Sequence, residues 1–571
     1  MSIPVRGFRP RHPADVVGDI QPNEFRGLKV TFVNMPLRET AKPHVPPEGP
    51  LILAAILRLY GAIPTIIDLN AYRICDEEAG RQGLVNGRHL TFEEAEDLLR
   101  LHFNQQGEQD IVAFSGMITT LRWQEKVAKM IRRLQPDCFL VTGNGLATEL
   151  KAGLFNWMPE LDAIAHSEGD DVMIVMARDV KRIKELGMER AARSGNLSPY
   201  YTGEMGGRHR FLYAGDRPKN LDAVPFGALD LLESDPYGRN LLEIYITNPV
   251  WGLAANNSSA TAFTMERSLT TVSSRGCPYA CAFCYRGAQG ERNYGMRSVN
   301  HIARQIREFM DRYNIDFVGF PDDNFAISKP RCADFPRVFA EYGIRIRWGT
   351  HTRLDEADQR IIPMSESGCI YIGFGAESAS AHVLGLMNKG GFILKNGLTP
   401  MRVRGREWQF PTTMINGIRN CRDVGIHANC TWIMAYPGET LEDLKTSVAF
   451  ILWQEELMTE GLIPGTPEYE MAKATVNRKM FTATSYPGTA MFSDPAARAL
   501  LSQNFGVSFD ASGEPICDEA FHHYVVELDD ATKVLHNKDG EPLNFGAMPM
   551  DQFLEAREYV DRGEIERILE M

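Results

Sequence analysis

Short apolar runs alternate with longer amphipathic stretches along most of the chain. Between residues 28 and 175, apolar runs of strand length end in turn-forming residues at 28–36, 64–70, 110–117, 138–145 and 161–170. Segments 50–61 and 125–136 repeat their apolar residues with helical spacing instead. This alternation predicts a doubly wound, Rossmann-like α/β domain over residues 28–175.

A second alternating series begins near residue 265 and ends near residue 450. Its apolar runs lie at 268–277, 315–325, 344–354, 369–378 and 428–440. Consecutive β/α units of this kind predict a full or partial barrel, with functional residues at the carboxyl ends of the strands. The remaining segments are predicted to be an N-terminal extension (1–27), a linker region (176–264) and a mixed C-terminal accessory region (451–571).

Composition narrows the classes of function. A chain of 571 residues with 44% hydrophobic and 24% charged residues has room for two or three ordinary domains. We expect a cytoplasmic protein with no membrane span, because no apolar run reaches bilayer length and no secretory-type run follows the N-terminus. The net charge of −13 disfavours nucleic acid as a partner. We expect a small-molecule substrate.

The distribution of the cysteines indicates a cofactor site. Seven of the ten are scattered singly, but Cys277, Cys281 and Cys284 form a CxxxCxxC pattern directly after a predicted strand. Three thiolates on one loop can hold a cubane iron-sulfur cluster and leave one iron with an open coordination position. The alternatives are three unrelated buried thiols or a structural zinc site, which would need a fourth ligand, and the next histidine, His301, lies in a predicted helix.

The segment SSRGCPYACAFCYRG, with Phe283 just before the third cysteine, resembles the cluster loop of the radical S-adenosylmethionine (SAM) superfamily. The resemblance implies a 4Fe-4S cluster whose open iron is chelated by the amino and carboxylate groups of SAM. An electron donor such as flavodoxin or ferredoxin would then allow cleavage of SAM to a 5′-deoxyadenosyl radical. In such enzymes the cofactors perform the difficult chemistry, and the protein orients and shields them.

Two later segments resemble further elements of this superfamily. VGFPDDNF implies that Asp322, Asp323 and Asn324 receive the SAM ammonium group, and THTRLD implies that Thr352 and Arg353 lie near its carboxylate. Taken alone, acidic residues at a strand end are more often helix caps. Their order after the cysteine loop carries the resemblance.

Two more segments complete the series. GFGAES resembles the fourth-strand element and implies that Glu377 lies near the methionyl or ribose end of SAM. WIMAYPGET resembles the fifth-strand element and implies that the backbone at Met434 and Ala435 approaches adenine. Taken alone, a Gly-rich segment of this kind is more often only a turn.

The N-terminal series resembles the cobalamin-binding domain that precedes the barrel in one large class of radical SAM enzymes. Cobalamin would lie across the carboxyl ends of the strands. The contacts implied for it are Ser115, Thr119, Thr120, Gly143, Gly145, Glu168 and Gly169. A DxHxxG loop is absent and His44 lacks that context, so we expect base-off cobalamin without a protein histidine ligand. The alternative is a Rossmann-like domain that binds another ligand or none.

These resemblances imply a cobalamin-dependent radical SAM methyltransferase of the class B type. The acceptor would be an unactivated carbon or phosphinate phosphorus of a small, anionic metabolite. The long segment 388–413 is basic, with guanidinium groups that suit an anionic group; its charged residues are Lys389, Lys395, Arg402, Arg404 and Arg406. The stretch from this segment through residue 440 resembles the P-methyltransferases of phosphinothricin-type antibiotic biosynthesis. A solvated basic loop is the alternative for that segment. Two other functions stay open, an anaerobic magnesium-protoporphyrin IX monomethyl ester cyclase and a cluster or corrinoid sensor.

Overall fold

The computed structural model describes residues 20–37, 43, 45–247, 265–285, 294–529, 534–537 and 539–571. These residues divide into two compact units. The first unit comprises the described residues within Met1–Asn248, Arg286–Gly295 and Phe505–Asp530. The second unit comprises those within Pro249–Tyr285, Met296–Asn504 and Ala531–Met571. His44 lies outside the described residues.

The first unit contains a seven-stranded sheet of order β2-β1-β3-β4-β5-β7-β6. Its strands are β1 Lys29–Asn34, β2 Ile63–Asp68, β3 Ile111–Ser115, β4 Phe139–Gly143, β5 Ala163–Ser167, β6 Tyr201–Met205 and β7 Arg208–Gly215. The helices that precede the second unit are α1 Glu48–Leu59, α2 Glu77–Arg81, α3 Phe92–Gln106, α4 Leu121–Leu134, α5 Gly145–Leu150, α6 Leu154–Trp157, α7 Asp170–Leu186, α8 Met188–Arg193 and α9 Leu241–Thr247.

The central strands of this sheet are parallel, as the pattern of apolar runs predicts. Val30, Val33 and Val112 are fully buried because helices cover the sheet on both faces. Residues at the carboxyl ends of β3, β4 and β5 therefore share one edge of the sheet.

The sheet continues past residue 175, where we predicted the domain to end. β7 pairs in parallel with β5. β6 precedes β7 in the chain, is joined to it by the tight turn at Gly206 and Gly207, and pairs with it antiparallel. β6 is an edge strand whose residues are mostly exposed, so its polar sequence resembles a linker. The predicted linker region thus contributes two strands to the first unit.

The second unit contains a six-stranded, all-parallel sheet of order β17-β16-β13-β12-β11-β8. Its strands and short pairings are β8 Ser268–Thr270, β9 Ser274–Arg275, β10 Gly295–Met296, β11 Phe317–Phe320, β12 Arg347–Arg353, β13 Cys369–Glu377, β14 Leu398–Val403, β15 Arg406–Pro411, β16 His427–Met434 and β17 Met480–Thr482. The helices are α10 Val299–Tyr313, α11 Lys329–Glu341, α12 Ile361–Glu366, α13 Ala381–Leu386, α14 Gly390–Ile393, α15 Thr412–Asp423, α16 Leu441–Met458, α17 Pro467–Ala474, α18 Pro495–Phe505, α19 Glu519–Val526 and α20 Met550–Arg562, of which α19 belongs to the first unit.

This second sheet curls into a half-barrel, which confirms the predicted fold class. One face of β12 carries Trp348, which packs among Phe320, Phe325 and Phe335 on the helix-covered side. The other face carries Gly349, His351 and Arg353 toward the interior, because side chains alternate along a strand. β17 adds a strand beyond residue 450, and the predicted basic loop contains the hairpin of β14 and β15.

Candidate active site

The cysteine loop follows β9 and is held by segments that are distant in sequence. Gly276 begins it with φ +77°, a left-handed conformation that favours glycine. Farther along, the N–H of Ala282 donates to Met387 O at 2.9 Å, and its carbonyl accepts from Met491 N at 2.8 Å. Asn388 Nδ2 donates to Ala280 O at 2.8 Å. The loop is therefore fixed in place by the turn after α13 and by the C-terminal part of the second unit.

The three thiols are electrostatic neighbours. Burial, followed by the negative charges of Cys281, Asp323 and Cys277, raises the pKa of the Cys284 thiol to about 12. Arg353 Nη1 donates toward Cys281 Sγ at 3.5 Å, and Asn324 Nδ2 lies 4.0 Å from Cys277 Sγ. Such donors favour the thiolate form that iron binds. Within the described residues no group of three or more His, Cys, Asp and Glu side chains stands ready to hold a metal, so the cluster site is assigned from spacing and donors.

Tyr279, which lies within the loop, and Glu356 connect the loop to the end of β12, and neither residue was predicted from the sequence. Arg353 lies over the Tyr279 ring at 4.1 Å from its centroid, and Tyr279 OH donates to Glu356 Oε1 at 3.0 Å. The buried Glu356 also accepts from Asn324 Nδ2 at 3.3 Å and Thr352 Oγ1 at 2.5 Å. Asn324 and Thr352 are thus held by a carboxylate beneath the loop. No motif marks Glu356, which lies in a short turn after β12.

The two aspartates after β11 have different surroundings. Asp322 is buried and accepts from Ser273 N at 2.7 Å and from the hydroxyls of Ser273 and Ser274 at 2.5 Å each. Asp323 is exposed and accepts from Gly276 N at 3.2 Å. Asp322 therefore anchors the strand that leads into the cysteine loop, whereas Asp323 is accessible to a ligand.

Glu377 ends β13 in a left-handed conformation with φ +66°. Its Oε1 lies 3.0 Å from Lys389 Nζ, and its Oε2 accepts from Thr431 Oγ1 at 3.4 Å. The same ammonium lies 5.8 Å from the ring centroid of Phe283, the aromatic residue of the cysteine loop. The structure therefore brings Glu377 and Phe283 together through a lysine that sequence analysis did not assign to the SAM site.

Met434 and Ala435 are fully buried at the end of β16, and Ala435 has φ +60°. The Ala435 N–H donates to Glu439 Oε2 at 2.5 Å. Burial raises the pKa of the Glu439 carboxyl to about 8, so this group carries a proton at neutral pH. A Cβ on Gly546 would lie 3.1 Å from Ala435 Cα, which means that the C-terminal segment packs directly on this turn.

The arginines of the predicted basic loop lie in the hairpin that β14 and β15 form. Val403 pairs with Arg406, so Arg404 and Gly405 form a two-residue hairpin turn, both with positive φ. Arg402, Arg404 and Arg406 are exposed. Arg406 pairs with Glu442 at 2.8 Å and stacks on Trp408. The structure therefore assigns these three side chains to an exposed arm.

In the first unit, the predicted cobalamin contacts share the carboxyl edge of the sheet. Asn144, with φ +78°, donates to Ser115 Oγ at 2.9 Å and accepts from Gly145 N at 2.6 Å. Thr120 Oγ1 donates to Met117 O at 3.0 Å, and Thr119 is half-buried beside it. Left-handed conformations outside glycine cost energy and often mark functional loops.

Small residues keep this edge accessible. A Cβ on Gly143 would meet only Ala165, at 3.4 Å from its carbonyl oxygen, and one on Gly169 would lie 3.3 Å from the side chain of Leu53. Glu168 Oε1 accepts from Arg217 Nε at 3.1 Å, a partner that lies in the predicted linker. The glycines thus permit close approach of a bulky ligand to the backbone.

His166 was also missed. It is 6% exposed at the end of β5, and among the described residues its Nε2 has no hydrogen-bond partner. Burial lowers its pKa to about 4, so the imidazole is neutral at physiological pH. A buried nitrogen without a partner is a fitting neighbour for a bound polar group, because leaving it unsatisfied costs free energy.

Comparison with known proteins finds several similar sequences and structures. The profile of the Radical SAM superfamily matches residues 271–451. An uncharacterised methyltransferase of Pyrococcus horikoshii is 23% identical over 69% of this chain and 71% of its own length. The anaerobic magnesium-protoporphyrin IX monomethyl ester cyclase of Rubrivivax gelatinosus is 21% identical over 59% of this chain and 53% of its own length.

Solved structures show the same fold. The cobalamin-dependent SAM radical enzyme OxsB with aqua-cobalamin bound superposes with a TM-score of 0.54 at 17% identity, over 79% of this chain and 55% of that chain. The methyltransferase TsrM of Kitasatospora setae, with cobalamin and a 4Fe-4S cluster bound, superposes with a TM-score of 0.53 at 13% identity, over 90% of this chain and 83% of that chain. The chain thus spans about half the length of OxsB and of the cyclase. Across the described residues, none of the helices combines the length and hydropathy of a membrane span.

Proposed function

We propose that this chain is a cobalamin-dependent radical SAM methyltransferase with a small-molecule acceptor, because residues 271–451 match the profile of the Radical SAM superfamily. The observation that carries the proposal is the cysteine loop at the carboxyl ends of a parallel half-barrel, with Arg353 and Asn324 directed at its sulfurs. A methyltransferase among the relatives and two cobalamin-bound structures of the same fold support it.

A 4Fe-4S cluster with SAM supplies the radical, and cobalamin carries the methyl group. Cys277, Cys281 and Cys284 hold the cluster on a loop whose backbone is fixed on several sides. Arg353 stabilises negative charge on Cys281, and Asp323 offers an exposed carboxylate to the ammonium group of SAM. Asn324 and Thr352 act through Glu356 to keep the loop and strand β12 in register. A reduced flavodoxin or ferredoxin supplies the electron.

The first unit binds cobalamin at the carboxyl edge of its sheet. The glycines at 143 and 169 leave room at the backbone, and Asn144 and Ser115 present polar groups there. We propose the base-off form, because no DxHxxG loop supplies an axial histidine. His166 contributes a neutral hydrogen-bonding imidazole rather than a cobalt ligand.

The acceptor binds in the interior of the half-barrel, beneath Arg353. His351 lies two residues before Arg353 on the same face of β12, and it remains exposed although its strand neighbours Thr350 and Thr352 are buried. Desolvation by the surrounding protein lowers the pKa of His351 to about 4, so the imidazole is neutral at physiological pH. A neutral imidazole can donate one hydrogen bond and accept another, which suits a polar methyl acceptor.

The hairpin arginines are a second candidate site for the acceptor. Arg402 and Arg404 are exposed and cationic, which suits a phosphinate, phosphonate or carboxylate. Arg406 is less suitable because Glu442 already neutralises it.

A second candidate function is oxidative ring formation on a porphyrin ester. The similarity to the Rubrivivax gelatinosus cyclase favours it, although that similarity covers only 53% of the cyclase. The two functions differ in their products, because only methylation transfers a carbon from SAM.

The test is turnover under strict anaerobic reduction with the cluster and cobalamin loaded. Methylation consumes two SAM molecules, so S-adenosylhomocysteine and 5′-deoxyadenosine should appear together with methylated product. Small phosphinates, phosphonates and amino acids are assayed beside the porphyrin ester, with methyl-labelled SAM. Conversion of the porphyrin without incorporation of label would refute the methyltransferase proposal.

A further inference from the structure

Lys389 occupies an unusual place for a lysine. Its side chain is 4% exposed, and its ammonium lies 3.0 Å from Glu377 Oε1. A buried ion pair contributes little net stability, because removing both charges from water costs about as much as their attraction returns. Stability alone therefore does not account for a charged pair at this position.

The side chain and the carbonyl of Lys389 both lie against groups of the candidate site. Its ammonium lies 5.8 Å from the centroid of the Phe283 ring, and its carbonyl accepts from Arg353 Nη2 at 3.4 Å. Arg353 in turn reaches Cys281. A single residue thus contacts the end of β13, the end of β12 and the cysteine loop.

Strand β13 is shaped around the pair. A Cβ on Gly375 would lie 2.4 Å from Glu377 Oε1 and 3.0 Å from Lys389 Nζ, so only glycine leaves the space that the two groups occupy. Glu377 itself adopts φ +66°, which directs its carboxylate back over that glycine. Thr431 bonds the other oxygen at 3.4 Å. The direction of the carboxylate is therefore determined by Lys389, Gly375 and Thr431 together.

We propose that Lys389 is a positioning residue for SAM, which acts by fixing the direction of the Glu377 carboxylate and by seating Phe283 beside the cluster. This inference rests on the proposed function, since it takes SAM as the ligand at this site. Lys389 was expected to belong to a basic loop with Arg402, Arg404 and Arg406, but it lies apart from their exposed hairpin.

The test compares three variants with the loaded wild-type enzyme. Lys389→Met keeps the length of the side chain and removes its charge, Lys389→Arg keeps the charge, and Lys395→Met is the control, since Lys395 is exposed in the same segment. Iron and sulfide content, the dissociation constant of SAM and the change that SAM causes in the electron paramagnetic resonance (EPR) spectrum of the reduced cluster are measured.

We expect Lys389→Met to retain its iron, to bind SAM at least tenfold more weakly and to show a smaller SAM-induced spectral change. Lys389→Arg should recover most of the affinity, and Lys395→Met should behave as wild type. Adding Lys389→Met to Glu377→Gln should cause no further loss, because both act through one carboxylate. Wild-type affinity in Lys389→Met, or loss of iron in both Lys389 variants, would overturn the proposal. Failure of methyl transfer in the wild type with normal SAM binding would refute the proposed function alone.

Discussion

Asp322 and Asp323 are adjacent in sequence, yet the structure predicts opposite consequences for their substitution. Asp322 is fully enclosed and accepts three hydrogen bonds from Ser273 and Ser274. Arg331 lies beside it and donates to Ser273 O at 3.3 Å. Asp323 is exposed and close to the cysteines. Substitution of the first should therefore destabilise the second unit, and substitution of the second should weaken SAM binding.

The expected change in the free energy of unfolding follows from the hydrogen bonds that Asp322 accepts. In Asp322→Asn the amide oxygen can still accept from Ser273 N, but two charged hydrogen bonds to hydroxyls become neutral and Arg331 loses its counter-charge. Each hydrogen bond to a charged group contributes about 1.5–3 kcal/mol, and a hydroxyl can turn to accept from the new amide. We expect a loss of about 3 kcal/mol in the free energy of unfolding. Asp323→Asn should lose under about 0.5 kcal/mol, as exposed substitutions usually do.

The assay is urea unfolding followed by tryptophan fluorescence, with SAM binding measured in parallel. Trp348 reports on the relevant region because it packs against Phe325 and Phe335, the rings on which Arg331 stacks. The dissociation constant of SAM should rise about tenfold or more in Asp323→Asn, the equivalent of one lost charged hydrogen bond. An Asp322→Asn variant with the urea midpoint of the wild type, or an exchange of effects between the two variants, would refute these two assignments.

The other predictions address the cluster, the cobalamin, a buried carboxyl and the acceptor. Anaerobically reconstituted protein should contain about four irons and four sulfides per chain, and Cys281→Ala should lose them; normal iron in the variant would contradict the cluster site. Cobalamin should bind base-off, and the EPR spectrum of its Co(II) form should be identical in His166→Gln; nitrogen coupling that the variant abolishes would instead make His166 a cobalt ligand. In the folded state the pKa of Glu439 is about 8, against an ordinary value of 4.5, so between these pH values only the folded state holds the proton. The free energy of unfolding should therefore fall as pH rises from 5 to 8, by about 1.4 kcal/mol per pH unit. Glu439→Gln should remove that slope in unfolding experiments over this range. His351→Ala should raise the KM for the acceptor with SAM affinity unchanged, whereas Arg404→Ala should leave it near wild type, and the reverse result would transfer the acceptor to the hairpin.

Local sequence determined the fold class and the chemistry of the cluster loop. Parallel strands buried on both faces must be apolar throughout, so β1, β3 and β13 are visible as continuous runs. Cys277, Cys281 and Cys284 lie within eight residues, and their spacing by itself indicates the site. The match of residues 271–451 to the profile of the Radical SAM superfamily agrees with the resemblance of this loop, and the three ligands stay a prediction.

Tertiary structure decided which residues act together. β6 is a polar edge strand, and the antiparallel β14 and β15 hairpin projects exposed arginines, so neither has the apolar pattern of a buried strand. Lys389 and Glu356 reach the cysteine loop from separate elements, and no spacing within the sequence predicts such contacts. The two aspartates after β11 are chemically identical in sequence, and only their burial separates an anchor from a ligand. Sequence reports the chemistry that neighbouring residues share, whereas burial and long-range pairing depend on how distant segments pack.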